Sequence, residues 1–400
     1  MGDGPRTFAF EAWVEEARAV DLRAYARQHG AVLHRQGSEW VGACPGCGGR
    51  DRFAISTLKG VWHCRKAGRG GDAIELAQHV EARDFREACR ILTGRDAPDR
   101  EATETAADRD ERLAALQARR AVVAAEAHRR RCEADGHRLA EIKRARRFWE
   151  AAGPIAGTPA EAYLRLRGVD APPGAHLRFA PAHTLYAAGA TGTPPVALHT
   201  GPALLAGLTG PDDRFCGVHA TWIDLTRADG KAVVADPETG AVQPAKKVRG
   251  AVHGARIELA RAAEARTLIL GEGIETCLSV YQALRAKDYP LWREAAVWSA
   301  VSLGNLAGRA LDRVRHPTRQ RPDGRAEWVR GPTPDPDWAA LQIPDAVDLV
   351  VLLGDGDSDR FDTGMALARA KTRLARPGRQ VGIAWAEPGR DFNDMLRSAA

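Results

Sequence analysis

The 400-residue chain has no apolar run approaching the length of a membrane span, which excludes a spanning helix as an organising element. Its opening residues, MGDGPRTFAFEAW, lack the basic-then-apolar pattern of a secretory signal. The GxxxxGK[ST] phosphate loop is missing throughout, so no motor built on that loop is expected. Seven cysteines are too few for a disulfide framework at this length, and three of them cluster. These absences point to a reducing cytoplasm and no membrane partner. Tyrosine is scarce, with five in all; Tyr163, Tyr186, Tyr281 and Tyr289 lie in packing or linker contexts, so none marks a nucleophile domain. The net charge of +6 permits a nucleic-acid partner without requiring one.

What is present is organised around two junctions. Val350, Val351, Leu352 and Leu353 form a short apolar run, read as a buried strand, that opens into Gly354-Asp355-Gly356-Asp357. Upstream, Thr267-Leu268-Ile269-Leu270 ends in Gly271-Glu272-Gly273, and Ile274, Cys277, Leu278 and Tyr281 follow at helical spacing. Each acidic group therefore stands at a strand-to-loop-to-helix junction, where α/β sheets place their ligands. Three carboxylates converging there repel one another unless a cation holds them, and hard oxygen donors suit Mg²⁺. The plainer alternative is that the aspartates cap helices or turns.

The N-terminal region has a different chemistry. Residues 11–29 have a helical pattern, with Gly30 as a stop. Cys44-Pro45-Gly46-Cys47 has the shape of a zinc knuckle, and Cys64 follows within Val61-Trp62-His63-Cys64-Arg65-Lys66-Ala67. A four-cysteine ribbon wants cysteine at position 67, which is alanine here. His63 is the candidate replacement. Neighbouring strand side chains point to opposite faces, so His63 and Cys64 can share an ion only across a turn. Asp72 is a good N-cap for the helix that follows, and Cys89 sits on an apolar stripe with Phe85, Ala88 and Leu92, as a core residue.

Residues 98–147, rich in Ala, Arg and Glu, read as a long solvated helix carrying the basic clusters Arg129–Arg131 and Lys143–Arg147. Residues 150–262 read as a mixed α/β unit with a helix over Glu161–Gly168, a strand over Cys216–Leu225 and a turn at Asp229-Gly230. Residues 305–345 read as an extended loop with seven arginines that could follow a nucleic-acid backbone, His316 being an ordinary exposed residue.

The two acidic junctions resemble the Toprim domain shared by bacterial-type primases, topoisomerases and some nucleases. Glu272 stands at its single glutamate, Asp355 and Asp357 at its paired aspartates, and Arg390-Asp391-Phe392-Asn393-Asp394 resembles the last acidic motif of its primase members. The cysteine segment, running on through Gly70-Gly71-Asp72 to Leu92-Thr93-Gly94, resembles the zinc ribbon of bacterial and phage primases. Pro244–Val252 resembles the basic part of the primase core that faces nucleotide and template. The resemblance implies an α/β multi-domain chain. Residues 1–97 are a zinc-ribbon-like template-binding domain, 98–149 a charged helical linker, 150–262 the N-terminal part of the primase core, and 263–400 a Rossmann-like Toprim domain with a parallel sheet. It implies Mg²⁺ or Mn²⁺ on Glu272, Asp355, Asp357, Asp391 and Asp394, and Zn²⁺ on Cys44, Cys47, Cys64 and His63. Lys246 becomes the catalytic basic residue that offsets triphosphate charge opposite the acids, with Lys247, Arg249, Arg52 and Arg65 contacting nucleic acid or nucleotide. The implied activity is synthesis of short oligoribonucleotide primers on single-stranded DNA from nucleoside triphosphates, in mobile-element, phage or chromosomal replication. With no motor and little chain beyond the acidic motifs, a separate replicative helicase is the expected partner. A Toprim nuclease and an inactive DNA-binding accessory are the alternatives.

Overall fold

The computed structural model describes residues 8–36, 39–57, 60–98, 106–187, 195–237, 240–262, 264–338 and 341–399. It divides into two compact units, residues 1–128 and 129–400.

In the first unit, five strands form an antiparallel sheet in chain order: β1 (Leu33–Gln36), β2 (Glu39–Cys44), β3 (Gly48–Ser56), β4 (Val61–Cys64) and β5 (Arg69–Gly71). Two helices precede it, Phe8–Arg18 and Leu22–Gln28, where the sequence pattern predicted a single helix over 11–29. The break arises at Asp21, whose side chain accepts a hydrogen bond from the Ala24 amide and starts a new helix. Two further helices follow the sheet, Ala73–Glu81 and Phe85–Thr93. Asp72 caps the first of them in a reciprocal capping box with Glu75. Trp13, Phe53, Ile55, Trp62, Ile74 and Leu76 make the core, and Cys89 is buried among them as expected.

Helix Ala106–Ala151 follows, 46 residues long and exposed over most of its described side chains. Its last turns change character: Ala145 is buried, and Phe148 and Trp149 pack against the core of the second unit.

The second unit holds two sheets. The first is antiparallel and built from β6 (Leu177–Ala187), β7 (Val196–Thr209) and β8 (Phe215–Trp222); the small pair β9 (Val234–Ala235) and β10 (Val242–Gln243) intervenes, and β11 (Lys246–Gly250) completes it in the order β11-β8-β7-β6. Helix Pro159–Leu166 packs against it, with Tyr163 and Leu164 fully buried. The second sheet takes β12 (Ile257–Ala260), β13 (Thr267–Gly271), β14 (Ala295–Ser299), β17 (Leu349–Gly354) and β18 (Gln380–Trp385), in the order β12-β14-β13-β17-β18. All pairings in it are parallel except that of the edge strand β12. That strand lies before residue 263, and the parallel strands begin with β13.

The apolar run of β13 is continuous because both faces are covered. Ile269 packs with Ile274, Cys277 and Leu278 on one side. Leu268 and Leu270 pack with Leu352 and Leu367 on the other. Residues 305–345 are not one extended loop: β15 (Arg313–Gln320) and β16 (Ala326–Arg330) form an antiparallel hairpin. The turn Arg321-Pro322-Asp323-Gly324 supplies the reason, Gly324 taking the left-handed conformation at φ +76° that a tight reversal needs.

Candidate metal centre and candidate active site

In the first unit, Cys44, Cys47, Cys64 and His79 bring their donor atoms within 4.8 Å of one another. Cys44 Sγ lies 3.2 Å from His79 Nε2, and Cys47 Sγ lies 3.4 Å from Cys64 Sγ. A tetrahedral ion with Zn–S near 2.3 Å wants donors roughly 3.6–3.8 Å apart, so this set closes on zinc with small adjustments. The expected fourth ligand, His63, is corrected to His79. Along β4 the side chains alternate, Trp62 and Cys64 buried and Val61 and His63 exposed, so His63 faces away from the thiols. His79 arrives instead from the last turn of helix Ala73–Glu81, its ring stacked on Trp62 at 5.1 Å. Gly46 permits this approach: a Cβ there would lie 2.9 Å from the His79 carbonyl oxygen and 3.1 Å from Nε2. Burial lowers the His79 pKa, keeping the ring in the neutral form that ligates metal.

Beside this centre, Asp51, Arg52, His63 and Arg65 line an open cleft of about 390 Å³ on the ribbon. Arg65 is exposed and pairs with Asp51 at 3.5 Å, while Arg52 is half-buried.

In the second unit, β13 and β17 are adjacent parallel strands, with Leu270 opposite Leu352. Their C-terminal ends therefore present Glu272 and Asp355 side by side. The neighbouring strand β18 leads to Asp391, and Asp357 extends from the loop after β17. Burial raises the Asp355 carboxyl to about 6, and the negative charges of Asp391, Asp357 and Glu272 add to the effect. Thr276 Oγ1 donates to both its oxygens, at 3.2 and 3.3 Å, and opposes the rise. Burial also raises Glu272. Ser299 donates to the Glu272 carbonyl at 2.7 Å, holding the junction to the end of β14. Gly356 lies flat against the following loop, where a Cβ would meet the Glu387 carbonyl oxygen at 2.1 Å. Among the described residues these acids do not form a set of three within 4.8 Å. Such an open array of mutually repelling carboxylates fits Mg²⁺, which keeps waters and takes one or two carboxylates together with substrate phosphates.

The last acidic motif divides by role. Asp391 joins the array and also caps helix Phe392–Ala399, its side chain accepting from the Asp394 amide at 2.6 Å. Asp394 is exposed on that helix. Asn393, which sequence reasoning passed over, is fully buried and donates to the Arg167 carbonyl and to Ser279 Oγ.

Strand alternation also splits the basic residues of β11. Lys246 points toward the acids: its Nζ lies 2.9 Å from Glu275 Oε2, and its charge acts on Glu272. Lys247 and Arg249 take the opposite face, where Lys247 donates to the Tyr186 carbonyl and Arg249 pairs with Glu141 at 3.0 Å. The structure thus does not bring these two to the acidic array. Sequence reasoning also missed Glu275 and Lys231. Glu275 is buried, receives the Tyr163 hydroxyl at 2.5 Å, and pairs with both Lys246 and Lys231, the latter at 3.6 Å. Burial alone would raise its carboxyl; the two ammonium groups and Tyr163 outweigh burial and hold it well below the usual range.

Comparison with known proteins agrees with the metal centre. Residues 17–107 match the CHC2 zinc finger family, so the first unit carries a zinc ribbon of that type, and residues 140–259 match a domain of unknown function, DUF7146. A DNA primase of Halalkalibacterium halodurans is 31% identical over 103 residues, which is 25% of this chain; the chain spans only 17% of that protein's length. Among solved structures, the zinc-binding and RNA polymerase domains of the Aquifex aeolicus primase align over 96% of this chain and 82% of that one, at 15% identity and a TM-score of 0.34. A primase domain from Pseudomonas aeruginosa aligns over 62% of this chain and 72% of that one, at 12% identity and a TM-score of 0.36. Among the described residues, no helix is long and apolar enough to cross a membrane.

Proposed function

We propose that this chain is a template-directed DNA primase whose second unit carries a Toprim-type active site. The observation that supports it most is the convergence of Glu272, Asp355, Asp357 and Asp391 on the ends of three neighbouring strands, β13, β17 and β18, in the order the primase motifs require. The zinc ribbon and the primase relative point the same way. Divalent cations bound by these carboxylates would supply activation of a 3′ hydroxyl and neutralisation of the phosphoryl transition state.

The protein's own groups have separable tasks. Asp355 and Asp357 would hold the cations, with Glu272 as further ligand or proton acceptor, and Thr276 fixes the orientation of Asp355. Lys246 lies opposite the acids and offsets the charge of an incoming triphosphate. Glu275 pairs with Lys246 and links it to Lys231. The ribbon, through Arg52 and Arg65, holds the single-stranded template. A separate helicase supplies unwound template.

Incubation with single-stranded DNA, labelled nucleoside triphosphates and Mg²⁺ or Mn²⁺ tests the reading against an Asp355→Asn/Asp357→Asn variant. Short oligonucleotides are expected from the wild type, with at least about a hundredfold less from the variant. Degraded template would instead indicate a nuclease. Tight DNA binding by both proteins with no product would indicate an accessory factor.

A further inference from the structure

The hairpin β15–β16 places charges against their own interest. Arg313 stands directly opposite Arg330, and Arg315 directly opposite Trp328. By the two-residue period of a strand, all four share one face. Like charges directly across an antiparallel pair destabilise it. Among the described residues, Arg313, Arg315 and Arg330 have no carboxylate within ion-pair distance; Arg313 donates only to the Trp328 carbonyl. The indole of Trp328 is 48% exposed in their midst. A folded hairpin with three unneutralised guanidinium groups and a half-exposed indole on one face is complementary to an anion that also offers flat apolar surfaces.

The other face is anchored. His316, only 4% exposed, reaches Asp359 Oδ2 at 3.2 Å. Arg319 bonds Asp362 at 2.6 Å, Asp359 at 3.3 Å and Glu327 at 2.9 Å. Asp359 caps helix Arg360–Leu374, which begins directly after the Asp355–Asp357 loop. The His316–Asp359–Asp362 group has donor atoms close enough for a metal, but the Arg319 guanidinium already lies against both carboxylates and neutralises them. This face is an attachment, and it ties the hairpin to the acidic loop.

We infer that the Arg313–Arg315–Trp328–Arg330 face is a binding surface for single-stranded nucleic acid, fixed beside the acidic array. Guanidinium groups on one face follow a phosphate backbone, and an exposed indole stacks on an unpaired base. Duplex is the poorer fit, because its bases are already stacked on one another. The inference deepens the primase reading by naming a strand-holding surface.

The test is fluorescence anisotropy of a labelled oligothymidylate of roughly 20 nucleotides with the full, zinc-loaded chain. An Arg313→Gln/Arg315→Gln/Arg330→Gln variant is expected to bind about tenfold more weakly. Its plot of log affinity against log salt should be shallower by about 2, as expected for three lost phosphate contacts on a single strand. Trp328→Ala is expected to bind about fivefold more weakly with the slope unchanged. Arg285→Gln/Lys287→Gln/Arg293→Gln serves as the charge-matched control, and all variants should melt within about 2 °C of the wild type. A triple variant no weaker than the control overturns the inference. So does an equally tight duplex accompanied by no effect of Trp328→Ala. Because the readout is binding, a chain that makes no oligonucleotide contradicts the catalytic reading and leaves this one standing.

Discussion

His79→Ala strips the first unit of its zinc, and His63→Ala does not. Metal analysis of the purified proteins is expected to give a full equivalent of zinc for the wild type and for His63→Ala, and a small fraction of one for His79→Ala and for a Cys47→Ser reference. The reason is geometric: His79 Nε2 lies 3.2 Å from Cys44 Sγ, whereas His63 is on the exposed face of β4. The consequence for the fold is large. Structural zinc contributes about 10–16 kcal/mol to small zinc-dependent folds. Here the ion would cross-link the knuckle, strand β4 and helix Ala73–Glu81, whose other ties include the packing of Ile74, Leu76 and Ala77 and the polar contacts of Asp72 with Arg18 and Trp62 and of Glu81 with Tyr25 and His29. Loss of the ion is expected to open the amides of β2 to β5 to hydrogen exchange. If His79→Ala keeps its zinc and His63→Ala loses it, the ligand assignment is wrong.

Glu275→Gln lowers the stability of the second unit by about 3 kcal/mol, the usual cost of removing one partner from a buried ion pair. Glu275 is nearly inaccessible, while Lys246 and Lys231 keep a third and a quarter of their side-chain surface. With glutamine in place, the Tyr163 hydroxyl still has an acceptor, but two ammonium groups face each other without a counter-charge. For a unit of this size the thermal midpoint should drop by about 5–10 °C. Adding Lys246→Gln should recover part of the loss, since it removes one of the two stranded charges. A midpoint unchanged in Glu275→Gln would mean that water enters and replaces the carboxylate. Lys246 would then be far more mobile than its 2.9 Å bond to Glu275 implies.

The parts that could be read from sequence were those encoded locally. Each apolar run ending in an acidic glycine loop became a central parallel strand with its carboxylate at the C-terminal end, because burial on both faces leaves a continuous signature. The CxxC knuckle, the Asp72 cap and the buried Cys89 were equally local. What escaped depended on contacts distant in the chain. His79 is 35 residues from Cys44, and only the packing of its helix on the knuckle selects it over His63. Glu275 looked like a first-turn helix residue until β11 delivered Lys246 to it. The Pro322-Asp323-Gly324 turn was a legible hairpin signal, but the surrounding arginines drew the reading toward a loop. The burial of His316 was illegible for a related reason: it comes from Asp359, 43 residues on, and from Phe361.

The claim on which the function rests is that the ends of β13, β17 and β18 hold divalent cations. It is tested most directly by electron paramagnetic resonance of Mn²⁺ titrated into the zinc-loaded protein without nucleotide. The wild type is expected to quench the free-ion signal, and Asp355→Asn and Glu272→Gln to weaken Mn²⁺ binding by at least about tenfold, with Lys247→Gln unchanged. Identical Mn²⁺ binding by the wild type and by Asp355→Asn would contradict a metal site there, and with it the proposed chemistry.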